Sequence, residues 1–335
     1  MRTYSEADID FSRPLDTIAV IGYGNQGHAH AQNLRDSGFD VVVGARKDGP
    51  SWEKALLAGF QVEEIPQAVA HADTIMMSLP DTQMPSVFRE SIARFIQRGA
   101  NLMVCHGYNF HYSHILSPSG VDVTMVAPSG PGASLRSSYV QGFGLPCLVA
   151  VHQDATGNAE NRALQYAHGI GCFRAAVLGS TIQEETESDL FGEQVVLCGG
   201  LYGLVRRGYE TLVAAGFPPE VAYFECVHQV VLLADLVQRG GFTGMFSKIS
   251  DTAEWGAYQV ADRVIGPASE EAMRDVLEDI RSGRFDEQWQ QELRAGLTTK
   301  AQRFEDVAAH DMEKVGSKLR AAMPFLTDKN AKGSR

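Results

Sequence analysis

Glu185, Asp189 and Glu193 recur at intervals of four, a spacing that sets three carboxylates along one face of a helix. Side chains stacked this way repel one another unless water or a cation separates them. Hard oxygen ligands at this spacing suit Mg²⁺, and a solvated acidic face accounts for the spacing equally well. Leu190, Phe191, Val195 and Val196 surround the carboxylates and argue for partial burial. A second run, AYFECVHQVVLLADL, carries Glu225 and Gln229, also four apart. A glutamate inside such an apolar run is costly unless it is paired or ligated. The segment CHGYNFH, residues 105–111, follows an apolar run that reads as a sheet strand. Ligands bind at the carboxyl ends of such strands, which makes His106 a candidate site residue; His111 and His114 are read as loop surface. Zinc is not expected, because no compact Cys/His ligand set occurs.

A different chemistry is written at the start of the chain. Gly22-Tyr23-Gly24-Asn25-Gln26-Gly27 directly follows the apolar run TIAVI and opens a stretch with helical spacing. Gly22 permits a tight turn, Gly24 lets backbone approach a pyrophosphate, and Gly27 lets the helix pack on the strand. The helix N-terminus then offers N–H donors to phosphate. A lone GxGxxG is weak; this one has the strand–turn–helix context that a dinucleotide fingerprint requires. The end of the next strand, which reads the adenosine ribose, holds Arg46, Lys47, Asp48 and Ser51. Arg46, Lys47 and Ser51 suit a 2′-phosphate and so NADP, whereas Asp48 suits a free 2′-hydroxyl and so NAD; all four also read as solvated loop residues.

The elements that must position these groups are legible in outline. DVVVGAR, ADTIMMSLP, ANLMVCHGY and VDVTMVAPSGPG each repeat one pattern, an apolar strand ending in a polar or glycine-rich loop, with amphipathic stretches between. That alternation predicts a parallel, doubly wound α/β sheet, with GLPCLVAVHQD and CFRAAVLGS as later strands. After about Thr181 the texture becomes helical and stays so to Phe325. The expected division is a dinucleotide-binding domain over 1–182, a helical domain over 183–327 and a frayed tail over 328–335. A chain of 335 residues fits two domains better than one. A net charge of −12 argues against nucleic acid or an anionic membrane as main partner. No apolar run reaches the length of a membrane span. The five cysteines form no CxxC pair and no apolar signal segment is visible, which reads as reduced thiols in a cytoplasmic protein.

Taken together, the chain resembles ketol-acid reductoisomerase in its short, class I form, over about residues 10 to 325. The blocks that carry the likeness are GYGNQGHAHAQNLRDSG, CHGYNFH, VAPSGPG, AVHQDATGNA, EETESDLFGEQVVLCGG, AYFECVH and ISDTAEWG. The resemblance implies an N-terminal Rossmann domain and an all-α, knotted C-terminal domain. It also implies a homodimer formed through the helical domain, with active sites shared between partners. In that family Mg²⁺ and NAD(P)H drive alkyl migration in a 2-aceto-2-hydroxy acid and then ketone reduction. Residue by residue, Asp189 and Glu193 match the metal-binding pair and Glu225 a carboxylate of the second helix. Ser250 matches the substrate-contacting serine, and His106 the active-site histidine. Tyr23, Gly24, Asn25, Gln26, Arg46, Ser51, Asp81, Thr82, Gln83, Met84 and Gly132 match cofactor positions.

Departures from the family fall inside the site. Ser129 stands where the family has Lys, Ala133 where it has His, and Gln229 where it has a second Glu. In the ribose loop Asp48 replaces a common Gly and Gly49 a common Ser, which tips the cofactor expectation toward NAD(H). Gln offers a carbonyl oxygen but cannot titrate, and general acid–base groups typically supply about 10²–10⁴-fold in rate. The leading expectation is therefore a remodelled, Mg²⁺-dependent nicotinamide enzyme of specialised metabolism. It would act on a small hydroxylated carboxylic acid, for instance in a redox-neutral ring closure that gives a cyclopropanol from a sulfonium substrate. The alternative is an authentic ketol-acid reductoisomerase of branched-chain amino-acid synthesis, and a third reading is a non-catalytic dinucleotide sensor.

Overall fold

The computed structural model describes residues 1–323. The expected tail over 328–335 and the last residues of the expected helical domain lie outside the described residues. The chain divides into two compact units at Ser188/Asp189, and the division falls inside one helix, Ile182–Phe191.

The first unit is built on nine strands: β1 (Thr3–Tyr4), β2 (Thr17–Ile21), β3 (Asp40–Ala45), β4 (Gln61–Glu64), β5 (Thr74–Met77), β6 (Asn101–Val104), β7 (Asp122–Pro128), β8 (Cys147–Gln153) and β9 (Val177–Gly179). Their order in the sheet is β1-β9-β8-β7-β6-β5-β2-β3-β4. The strands from β4 to β7 in that order run parallel, and the direction of winding reverses between β2 and β5. Such a reversal opens a crevice at the carboxyl ends, where dinucleotides bind. Alternate residues of β2 explain the layering. Ile18 and Val20 face one apolar cluster, with Leu34, Ala163 and Tyr166. Ala19 and Ile21 face the other, with Ala68, Val69 and Ile92. Both faces are thus covered, and the strands are continuously apolar rather than alternating.

The expectation of an all-parallel sheet needs correction. β8 runs antiparallel to β7, β9 parallel to β8, and β1 antiparallel to β9, so the sheet is mixed. The largely buried first half of β8, residues 147–150, has the same apolar pattern whichever way it runs, which is why composition could not show the reversal.

The second unit is all-helical over its described residues. Tyr209, Ala222, Tyr223, Met312 and Val315 form its core, and the Tyr209 hydroxyl donates to Asp311 Oδ2 at 2.7 Å. The helical run interrupts itself twice with π-helical segments, Gly192–Leu197 and Phe224–His228. Val231, Leu232, Phe242, Trp255 and Tyr258 stay exposed on this unit. Among the described residues no helix is long and apolar enough to cross a membrane.

Candidate functional site

The loops at the carboxyl ends of β2, β3, β5, β6 and β7 carry most of the candidate residues. Gly22 has φ +91°, and a Cβ there would stand 2.8 Å from the Ser78 carbonyl oxygen, so only glycine makes this turn. At Gly24 nothing lies within 4 Å of a Cβ position, leaving the open backbone that a pyrophosphate needs. Gly27 is required by the turn itself: its Cβ would meet the Gly22 carbonyl at 2.3 Å and Ser78 Cβ at 3.2 Å. Gly132 opens the helix Gly132–Val140, and a Cβ there would lie 1.7 Å from the Asn25 carbonyl. The starts of this helix and of Asn25–Asp36 are thereby brought against each other, so two sets of unsatisfied N–H groups share one place. Gln26 donates from Nε2 to the Gly130 carbonyl at 3.1 Å, while its buried Oε1 has no partner. These features fit a bound dinucleotide. Two candidates offer backbone more than side chain: the Tyr23 ring is buried against Phe60, its hydroxyl accepting from Gln32, and Met84 is 2% exposed.

In the ribose loop Arg46, Lys47 and Asp48 are exposed and Ser51 is half-buried. Gly49 N–H donates to the Arg46 carbonyl at 3.0 Å, closing a turn in which Asp48 has φ +57°. That left-handed position favours glycine, and aspartate is among the few side chains that tolerate it. A Cβ at Gly49 would stand 3.0 Å from the Arg46 carbonyl, so the turn is packed against Arg46 on this side.

Beyond β6, His106 Nδ1 lies 2.9 Å from Glu185 Oε1, and Gly107 N–H donates to Glu185 Oε2 at 3.0 Å. Glu185 is 4% exposed. Glycine at 107 is forced by the close approach of the helix Ile182–Phe191: a Cβ would meet Thr186 Oγ1 at 2.4 Å. Asp189 is exposed one turn along the same helix, and ligand atoms of His106, Glu185 and Asp189 all lie within 4.8 Å of one another. The donor set fits a hard cation through its carboxylates. The imidazole, turned onto Glu185, fits orienting that carboxylate better than ligation. Glu193 is exposed in the π-helical segment, where Cys198 N–H donates to its carbonyl at 2.9 Å. The three carboxylates are therefore not on one regular α-helix as their spacing suggested. His111 is likewise not loop surface: it ends the helical turn Tyr108–His111, half-buried, with Nε2 4.0 Å from Glu187 Oε1. Burial pushes the Cys105 thiol up to about 12, which removes it as a nucleophile.

In the second unit, Gln229 Nε2 donates to Glu225 Oε2 at 2.9 Å across the π-helical segment. Ser250 caps the helix Asp251–Val264, its Oγ accepting from Ala253 N–H at 3.3 Å and so keeping its own proton for another acceptor.

Two family models match in sequence order. The acetohydroxy acid isomeroreductase NADPH-binding domain matches residues 15–176, and the ketol-acid reductoisomerase C-terminal domain residues 182–325. The chain belongs to the ketol-acid reductoisomerase family. The solved NADH-preferring ketol-acid reductoisomerase from an uncultured archean is 42% identical, with a TM-score of 0.93 over 96% of this chain and 99% of that one. A semialdehyde dehydrogenase NAD-binding protein from Cupriavidus necator is 16% identical, with a TM-score of 0.59 over 80% of this chain and 99% of that one. A pyrroline-5-carboxylate reductase from Coxiella burnetii is 13% identical, with a TM-score of 0.56 over 80% of this chain and 98% of that one. The latter two share the fold alone. The protein is an NAD(P)-dependent oxidoreductase and isomerase of the ketol-acid reductoisomerase family.

The three departures from the ketol-acid reductoisomerase pattern sit in accessible places. Ser129 is exposed after β7, its N–H donating to the Pro146 carbonyl at 2.8 Å, and Ala133 is exposed in the first turn of the helix Gly132–Val140. Gln229 is half-buried. Glu185, the first of the three carboxylates spaced four apart, gains a partner that its spacing could not announce. Its spacing from Asp189 was visible, but its pairing with His106, 79 positions away, was not.

Proposed function

We propose that the protein is a ketol-acid reductoisomerase of branched-chain amino-acid biosynthesis, converting 2-acetolactate to 2,3-dihydroxyisovalerate. The observation that carries this reading is the pair of family models running in order through the chain, with 42% identity to a ketol-acid reductoisomerase over nearly its full length. The comparisons support this reading better than a ring closure giving a cyclopropanol. Asp189, Glu193 and Glu225 would hold Mg²⁺, and the backbone from Gly22 to Gly27, with Arg46, Asp48, Ser51, Asp81 to Met84 and Gly132, would hold the dinucleotide. When bound, Mg²⁺ supplies polarisation of the substrate oxygens and the reduced nicotinamide supplies hydride. His106 orients the Glu185 carboxylate, and the Ser250 hydroxyl donates to the substrate. Asp48, together with the NADH preference named for the archaeal relative, favours NAD(H). The apolar side chains exposed on the helical unit favour a dimer formed through it. The knotted path, the shared active site, the cytoplasmic location and a domain boundary near residue 182 belong to the same proposal.

A second reading, a family member remodelled for another small hydroxy acid, is favoured by one observation. The Gln229 amide already satisfies Glu225, where a glutamate would place two carboxylates together and call for a cation. The test is complementation of a bacterial strain that lacks ketol-acid reductoisomerase and requires isoleucine and valine. Growth without these amino acids supports the proposal. Absence of growth with soluble protein contradicts it, and growth regained by Ser129→Lys with Gln229→Glu would assign the change to those positions.

A further inference from the structure

Asn109 is 2% exposed in the short helix after β6, three residues beyond His106. Its Nδ2 donates to the Asp81 carbonyl at 3.2 Å, and lies 3.4 Å from Asp81 Oδ1 and 3.5 Å from Met84 Sδ. Asp81 and Met84 flank Thr82 and Gln83, which are exposed at the tip of the loop after β5. The loop closes on itself at the Pro80 carbonyl, which accepts from Gln83 and Met84 N–H at 2.9 and 3.0 Å. Asn109 ties it to the neighbouring loop. The Asn109 backbone is itself fixed, its carbonyl accepting from Ile115 N–H at 3.0 Å. The amide has one usable orientation. Its buried Oδ1 has no partner, and a flip would turn that oxygen onto the Asp81 carbonyl and carboxylate.

We propose that Asn109 is a positioning residue for the dinucleotide: it holds the Asp81–Gln83 turn in register with the His106 loop, so that the turn meets the cofactor already ordered. This rests on reading Asp81 to Met84 as a cofactor loop. An apolar side chain at 109 would withdraw this donor from the Asp81 carbonyl and loosen the turn. A turn ordered only on binding lowers affinity by the cost of that ordering.

The test uses the full-length protein and measures the Kd for NADH and NADPH by nucleotide fluorescence, together with Tm, for Asn109→Ala, Asn109→Ser and Thr82→Trp. Both Asn109 variants are expected to raise the Kd about tenfold, the size of one lost buried hydrogen bond. Asn109→Asp should raise it further, because it donates nothing and adds a charge beside Asp81. Pairing Asn109→Asp with Asp81→Ala, which removes the added charge repulsion but not the lost donor, should leave the Kd raised; a return to the native value would contradict the carbonyl contact. A lowered Tm with unchanged Kd in a folded Asn109 variant would overturn the proposal and leave Asn109 structural. If crowding the exposed tip with Thr82→Trp also leaves the Kd unchanged, the reading of the loop itself fails. If Asn109→Ala does not fold, Asn109→Ser is read by the same criteria.

Discussion

Acidification should destabilise this protein through His30. The side chain is 0% exposed on the helix that opens with the dinucleotide fingerprint. Its Nδ1 lies 2.9 Å from the Tyr166 hydroxyl, and its Nε2 has no partner. Burial, with a smaller contribution from His28, holds its pKa down to about 3, against 6.5 for a free histidine. Between these values the unfolded chain binds a proton that the native protein does not, so stability rises with pH across that window and falls as pH is lowered through it. From pH 8 to pH 5 the loss from this one group amounts to about 2 kcal/mol, since about 1.5 pH units lie below the unfolded pKa. Urea unfolding followed by circular dichroism at pH 8, 7, 6 and 5 would be compared between the native protein and His30→Asn. The variant loses the Tyr166 contact at every pH, which shifts the whole curve. Its stability should nevertheless fall less on acidification, by about the same 2 kcal/mol. Parallel pH curves would refute the reasoning and mean that His30 is hydrated or protonated in the native state.

Asp189→Asn should abolish turnover while leaving the Kd for dinucleotide within a few-fold, and full native activity in excess chelator would contradict the metal assignment. Asp48→Gly relieves a left-handed backbone that aspartate tolerates and glycine adopts freely, at the cost of a more flexible unfolded chain, so Tm should change little. Removing the carboxylate should shift the NADH/NADPH affinity ratio toward NADPH, and an unchanged ratio would show that Asp48 does not face the ribose.

Much of the dinucleotide half was legible because its signals are local. A glycine turn between an apolar run and a helical pattern has few other structural uses, and Gly22 adopts the positive φ that the motif requires. Other features depended on distant partners or on backbone register. The direction of β8 is invisible in the apolar run of its first half. The π-helical segments around Glu193 and Glu225 arise from one wider turn, which a four-residue spacing cannot announce. Glu185 and Asn109 draw their importance from contacts with His106 and Asp81, on other loops that only the folded sheet brings close.

The central claim is tested most directly by steady-state oxidation of NADH and NADPH with purified protein, Mg²⁺ and 2-acetolactate, with the product identified as 2,3-dihydroxyisovalerate. The account predicts substrate- and Mg²⁺-dependent turnover within the ordinary enzyme range of roughly 1–10³ s⁻¹, faster or tighter with NADH. Dinucleotide binding without any acetolactate-dependent oxidation would contradict it.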